Sequence, residues 1–280
     1  MTIAKEIYDK NGNPYPYSQL SRALEYSRNN YYYKSRKEMP DKQLANKIEN
    51  QHIEDDTLGY RKLAILLGVN GKRIRRVMKK YDIKARRKKK HYKYPGKSSK
   101  VAANLANDKL VSQVFEILFS DIFELKLADR TKVRGCFVIH KKTRQVLSLV
   151  FDYGMSAELV VSAIKRVDFK NAFTLFHSDQ GKQYGADKTY QMLVQKGYVA
   201  SMSRAGTPTD NGIAERFVGL FKLAVVHRYS YSTLGDFLKA SEKWINFYNQ
   251  RRPHESLGQV SPNHFASISG YNLVSYLSLF

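Results

Sequence analysis

From residue 114 onward, the apolar residues fall in short runs whose spacing changes between two periods. Val114 to Leu125, Val133 to Ile139 and Val146 to Phe151 are apolar stretches separated by the polar turns ADRT and HKKTR. Short apolar runs bounded by turn residues read as strands, and three in succession read as a meander. A helical period follows in Leu159, Val160, Ala163, Ile164 and Val167. Next come a strand from Phe173 to His177, a helix from Asp187 to Gln195 and a strand from Tyr198 to Met202. Three strands and then helix–strand–helix–strand predict an α/β domain with a mixed sheet.

The front of the chain obeys a different rule. Residues 1–100 carry 26 Lys+Arg against 10 Asp+Glu, and residues 101–280 carry 22 against 15, which concentrates the net charge of +23 ahead of the sheet. Charge distributed this way predicts a nucleic-acid-binding region attached to a second domain. No apolar stretch approaches the length of a membrane span, the N-terminus lacks an apolar signal segment, and Cys136 is the one cysteine. A single cysteine excludes an internal disulfide framework and a zinc site built on paired cysteines. These features predict a soluble intracellular protein.

Residues 1–40 are polar and tyrosine-rich, with a short helical pattern at Leu20, Ala23 and Leu24. Between 41 and 83, Leu44 and Ile48 predict one helix. Thr57 is placed to cap a second, which carries Tyr60, Leu63, Ala64 and Leu67. Gly68-Val69-Asn70 breaks the pattern, and Asn70 caps a third helix, GKRIRRVMKKY. Ile74, Val77, Met78 and Tyr81 form its apolar stripe, while Lys72, Arg73, Arg75, Arg76 and Lys79 project elsewhere. Helix, short glycine-containing turn and basic helix is the sequence form of a helix-turn-helix. Arg86, Arg87, Lys88, Lys89 and Lys90 then lie in a run with almost no apolar anchor, read as a flexible arm that follows phosphates.

Three carboxylates stand out in the back half. Asp121 lies within the first strand, Asp179 directly follows the fourth, and Glu215 begins a helix approached through Gly206-Thr207-Pro208-Thr209-Asp210-Asn211-Gly212. If the first and fourth strands are neighbours, Asp121 and Asp179 meet, and a helix across them adds Glu215. Converging carboxylates repel unless hard divalent cations compensate them. Such a cluster supports two-metal phosphoryl transfer. Lys222, seven residues after Glu215, falls two helical turns along the same face and is placed to hold a phosphate. His177-Ser178-Asp179 invites a nucleophile reading, but adjacent residues of an extended chain point to opposite faces. Beyond 230, Thr233 and Asp236 begin a helix with the stripe Leu234, Phe237, Leu238, Ser241, Trp244, Ile245 and Tyr248, ended by Pro253. Arg251 and Arg252 suit that helix's C-terminus.

These blocks, in this order, resemble the second-reading-frame (OrfB) transposases of IS-three-type insertion sequences. The resemblance is carried by LGYRKLAILLGVNGKRIRRVMKKYDI, FSDIF, FHSDQGKQY, SRAGTPTDNGIAERFVGLFK and YNQRRPHESLGQVSPNHF, from about residue 57 to 265. It implies an RNase H-like, retroviral-integrase-like catalytic core preceded by an all-α helix-turn-helix region. It also implies a DDE triad of Asp121, Asp179 and Glu215 and two Mg²⁺ ions, with Mn²⁺ able to substitute. Thirty-five residues lie between Asp179 and Glu215, the familiar spacing of that triad. The implied reaction frees a 3′-hydroxyl at an element end and uses it to attack another phosphodiester, through a joined-end circular intermediate. Implied partners are double-stranded DNA (terminal inverted repeats and target), further copies of the chain on DNA, and a first-frame (OrfA) partner or fusion. The implied location is the nucleoid in a bacterial cytoplasm.

Leu118 and Phe123 stand where the family usually has Trp and Thr, and Val138-Ile139-His140-Lys141-Lys142-Thr143-Arg144 departs from its second-strand pattern. The expected domains are an N-terminal helical segment (1–40), a helix-turn-helix (41–83), a basic linker (84–112), the catalytic core (113–229) and a helical extension (230–280). Two other readings compete: a non-catalytic DNA-binding regulator of transposition, and an RNase H-type nuclease.

Overall fold

The computed structural model describes residues 15–23, 25, 37–87, 101–154, 156–169, 173–204 and 207–271. The chain divides into two compact units, Met1–Lys47 and Ile48–Phe280. The first holds α1 (Tyr17–Ala23) and the beginning of α2 (Glu38–Glu54). The expected division at residue 40/41 therefore falls inside a helix.

The second unit begins with the rest of α2, then α3 (Tyr60–Leu67) and α4 (Gly71–Lys80). Gly68 ends α3 with a φ of 62°, a left-handed conformation that favours glycine. Asn70 caps α4 by accepting from the Lys72 amide at 2.9 Å. The cap expected of Thr57 is not made, because its hydroxyl and amide both donate to Asp55 Oδ1, at 2.6 and 2.9 Å, leaving Gly59 at the N-cap of α3. A side chain that bonds its own near backbone competes with helix capping in this way.

The sheet has five strands: β1 (Glu116–Lys126), β2 (Lys132–His140), β3 (Val146–Asp152), β4 (Thr174–Ser178) and β5 (Tyr198–Met202). Their spatial order is β3-β2-β1-β4-β5, with β1 to β3 an antiparallel meander and β4 and β5 added parallel to β1. This is the RNase H-like topology. Val114, expected in the first strand, belongs instead to α5 (Lys109–Val114), which Asp108 caps through the Leu110 and Val111 amides at 2.8 and 3.1 Å.

Helices cover both sheet faces. On one, Leu118, Cys136, Val138 and Phe176 pack against α6 (Ala157–Lys165) and α7 (Asp187–Lys196). On the other, Ile117, Phe119, Phe123, Phe137 and Leu175 pack against α8 (Gly212–Phe221) and α9 (Leu234–Gln250). Phe137 and Phe217 approach to 4.5 Å between ring centroids, and Phe221 lies 5.7 Å from Trp244. Each fully buried ring removes apolar area worth about 1.5–3 kcal/mol, enough to hold α8 at one height on the sheet. A short α10 (Pro262–Ile268) follows.

The junction between helices and sheet unit rests on charge. Arg252 is buried and pairs with buried Asp55 at 2.8 Å, also donating to the Thr57 hydroxyl at 3.2 Å. Arg251 reaches both carboxylate oxygens of Glu54 at 3.0 Å. These arginines thus bind the end of α2 to the end of α9, beyond the helix-terminus role expected from sequence. Among the described residues, no helix is long and apolar enough to cross a membrane.

Candidate active site

Parallel pairing decides where the first two carboxylates stand. β1 and β4 run in register through Phe119 opposite His177, which carries Asp121, two residues further along β1, toward Asp179, the residue just past the end of β4. Side chains two apart share a face, and Phe119, Phe123 and Leu175 all face α8. Asp121 Oδ1 accepts from the Ile122 amide at 2.7 Å, and Asp179 Oδ1 accepts from the Gly181 amide at 3.0 Å.

Glu215 reaches the same face through the loop before α8. Asp210 is buried and accepts five hydrogen bonds: from Asn104 and Asn107 at 2.7 Å each, and from the Arg204 backbone and guanidinium at 3.0 Å each. Its neighbour Asn211 donates to the Ser120 carbonyl at 3.2 Å, one residue before Asp121. Glu215 follows Asn211 by one helical turn.

Electrostatics links the groups. Burial first, then the Asp179 charge and, more weakly, Glu215, push the Asp121 carboxyl up to about 7, while Lys222 opposes the shift. Burial also raises Asp179 and Glu215. Lys222 stands at the end of α8 with helical backbone angles, two turns after Glu215, and a π segment over Lys222–Val226 begins with it. Its ammonium lies 5.6 Å from the centre of the Phe123 ring. Phe123 fits because Gly135 opposite leaves room: a Cβ there would stand 2.5 Å from the ring.

The donor set is chemically suited to a hard divalent cation, being all carboxylate, with the Asp121 carboxyl raised by burial first and by the Asp179 charge next. Among the described residues, no three His, Cys, Asp or Glu side chains already converge tightly enough to enclose one ion. Asp121 and Asp179 are half-buried, and Glu215 is exposed.

His177 takes no part in a nucleophile arrangement. Its ring is buried between the Ser201 and Ser203 hydroxyls at 2.9 and 3.0 Å, and burial lowers its pKa to about 4.

Of the basic residues, Lys72, Arg73, Arg75, Arg76 and Lys79 are exposed on α4. Arg75 lies 5.9 Å from the Tyr60 ring centre. Arg86 departs from the flexible-arm expectation. Its amide donates to the Asp56 carbonyl at 2.8 Å, its guanidinium to the His227 carbonyl at 2.9 Å, and it pairs with Asp56 Oδ2 at 3.1 Å. The sequence around it has no apolar anchor, but polar anchoring to Asp56 and His227 holds it. Arg87 is exposed, and Lys88, Lys89 and Lys90 lie outside the described residues. Sequence reasoning read Asp210 and Asn211 only as turn and capping residues; their partners at Asn104 and Ser120 leave no local signal.

The chain is similar to several known proteins. Residues 196–262 match the integrase core domain family, a span that includes Glu215 and Lys222. The chain is 29% identical over 266 residues to the putative transposase InsK of insertion sequence IS150 from Escherichia coli K12, covering 89% of this chain and 92% of that protein. It is 36% identical over 107 residues to the transposase of IS629 from Shigella sonnei, covering 36% of each chain. The catalytic core domain of HTLV-2 integrase, solved in complex with magnesium, aligns at 15% identity over 53% of this chain and 94% of that one, with a TM-score of 0.42. Over nearly its whole length the chain is thus similar to insertion-sequence transposases, and residues 196–262 carry the match to the integrase core domain.

Proposed function

We propose that Asp121, Asp179 and Glu215 form a DDE triad that holds two Mg²⁺ ions, or Mn²⁺ in their place, for cleavage and joining of element ends. One observation carries this: the parallel pairing of β1 with β4 brings Asp121 toward Asp179, just past the end of β4, and the Asp121 carboxyl feels Asp179, Glu215 and Lys222 together. Bound divalent ions would supply Lewis-acid stabilisation of the attacking and leaving oxygens. Asp121, Asp179 and Glu215 would hold the ions through their carboxylate oxygens. Lys222 holds a non-bridging phosphate oxygen beside them. In the first step a water oxygen bonds to phosphorus, the bond to the 3′ oxygen breaks, and that oxygen leaves as a hydroxyl. In the second, the freed 3′-hydroxyl loses its proton as its oxygen bonds to a new phosphorus, the bond from that phosphorus to its own 3′ oxygen breaks, and that oxygen takes up a proton and leaves as a hydroxyl.

The exposed cations of α4 (Lys72, Arg73, Arg75, Arg76 and Lys79) read duplex DNA at the element ends, with Arg87 and its neighbours adding phosphate contacts. The protein acts as several copies on DNA, with a first-frame partner or fusion, in the bacterial cytoplasm. The test is strand cleavage and joining with Asp179→Asn and Glu215→Gln. Both variants are expected to lose Mg²⁺- or Mn²⁺-dependent chemistry while keeping DNA binding. Robust cleavage in excess chelator, or wild-type rates in either variant, would overturn the assignment.

A further inference from the structure

A cleft of about 890 Å³ opens between α3 and the outer side of α8, with Glu215 in its lining. Its α8 wall is formed by Gly212, Glu215, Arg216, Gly219, Leu220 and then Leu223, which recur at helical spacing. Six of its sixteen lining residues are Arg or Lys and two are Glu, so its field is positive. Arg252 and Arg86 are engaged by Asp55 and Asp56. Arg61, Lys62, Arg87 and Arg216 are the other cations, and Arg61, Arg87 and Arg216 are exposed.

Lys62 shows how crowded these charges are. Burial and then the charges of Arg252 and Arg216 lower its pKa to about 7, against the opposing pull of Asp55 and Glu255. Cations gathered against their own repulsion form a site that an anion relieves. The walls are also bare where a chain must pass: a Cβ built on Gly59, Gly212 or Gly219 meets nothing within 4 Å.

We infer that this cleft is a binding site for the sugar–phosphate backbone of a DNA strand, held by Arg61, Lys62, Arg87 and Arg216 and led past Glu215. The inference rests on the strand-transfer reading for its ligand and extends it to a site other than the basic face of α4. Phosphates lie along Arg61, Lys62 and Arg87 on one wall and Arg216 on the other. The bare glycine positions admit the sugars. This gives the enzyme a second DNA-binding surface, independent of sequence, that delivers the scissile phosphate to the carboxylates.

The test is equilibrium binding of the full chain, in EDTA, to a fluorescein-labelled single-stranded 12-mer and to a 20-base-pair duplex of unrelated sequence. The triple variant Lys62→Gln/Arg87→Gln/Arg216→Gln is expected to weaken binding of the single strand by about tenfold or more. It should also flatten the log–log salt slope by about 2, from roughly 0.7 per neutralised phosphate. Arg73→Gln/Arg76→Gln should weaken the duplex and leave the single strand nearly unchanged. Gly219→Glu guards against misfolding of the triple variant, since its side chain enters open space and brings a negative charge. It should keep the wild-type melting temperature and lose single-strand binding. Unchanged affinity and salt slope in the triple variant, or unchanged binding by folded Gly219→Glu, overturns the inference. Omitting metal separates the two readings: a failed cleft leaves the Asp179 and Glu215 results standing, and a failed triad leaves these titrations standing.

Discussion

Asn211 donates its side-chain amide to the Ser120 carbonyl at 3.2 Å, tying the first residues of α8 to the strand that carries Asp121. Asp210 beside it is held by Asn104, Asn107 and Arg204. The height of Glu215 over the sheet is therefore set by two residues that precede it and bond to the strand and to the segment before β1. Asn211→Ala is expected to slow end joining while DNA affinity stays the same. Asp210→Ala should in addition lower stability by about 1–3 kcal/mol through its abandoned donors. Denaturant titration and joining assays on both variants decide this, and full joining rates in Asn211→Ala would refute it.

Asp121 gives the pH dependence. Its folded-state pKa of about 7 lies above its ordinary 3.8, so the folded chain keeps this proton to higher pH than the unfolded chain. The associated stability is complete below the unfolded value and is lost as pH rises through about 7. In chelator, Asp121→Asn should therefore melt above wild type at pH 8, and the difference should shrink toward pH 4. A difference independent of pH would refute the assignment.

Lys222 stands over Phe123 and opposes the upward shift of Asp121. Lys222→Ala is expected to reduce joining on the order of 10²-fold, as for other preorganised charges at a reacting phosphate. Its melting temperature should stay close to wild type. A loss of stability as large as that of a core variant, with joining unimpaired, would make the residue structural.

The pair Arg252–Asp55 is buried on both sides. Arg252→Ala should destabilise by about 3–5 kcal/mol, because Asp55 is left buried without its partner. Adding Asp55→Asn should restore part of that loss. Additive losses in a double-mutant cycle would show that the two do not act as a pair.

On α4, Asn70 and the buried Ile74, Val77 and Met78 hold the basic side chains at defined positions. Arg73→Gln or Arg76→Gln is expected to narrow the preference for element ends over random duplex by roughly 1–3 kcal/mol for each base edge no longer read. Equal weakening on both duplexes would assign these arginines to phosphates instead.

Much of this was legible from residue order because element type is local information. The short apolar runs bounded by turns indicated the five strands, with β5 at Tyr198–Met202 as expected, and the 3.6-residue stripe placed α4. Asn70 met its capping expectation because the capped amide is two residues away. Thr57 did not, because Asp55 is an equally local competitor. The wide turn at Lys222 left no mark on the apolar pattern.

The order of residues determined which segments become strands or helices and which carboxylates were worth watching. The tertiary structure alone decided that Asp121 is carried toward Asp179, since that depends on the register of two strands far apart in sequence. It alone decided that Arg252 meets Asp55, that Arg86 meets His227, and that α3 faces α8 across a positive cleft. Periodicity records which face of an element is apolar, whereas the partner of a charged side chain is chosen by how whole elements dock. Docking follows burial of the combined apolar faces, a property of the folded chain rather than of any short segment.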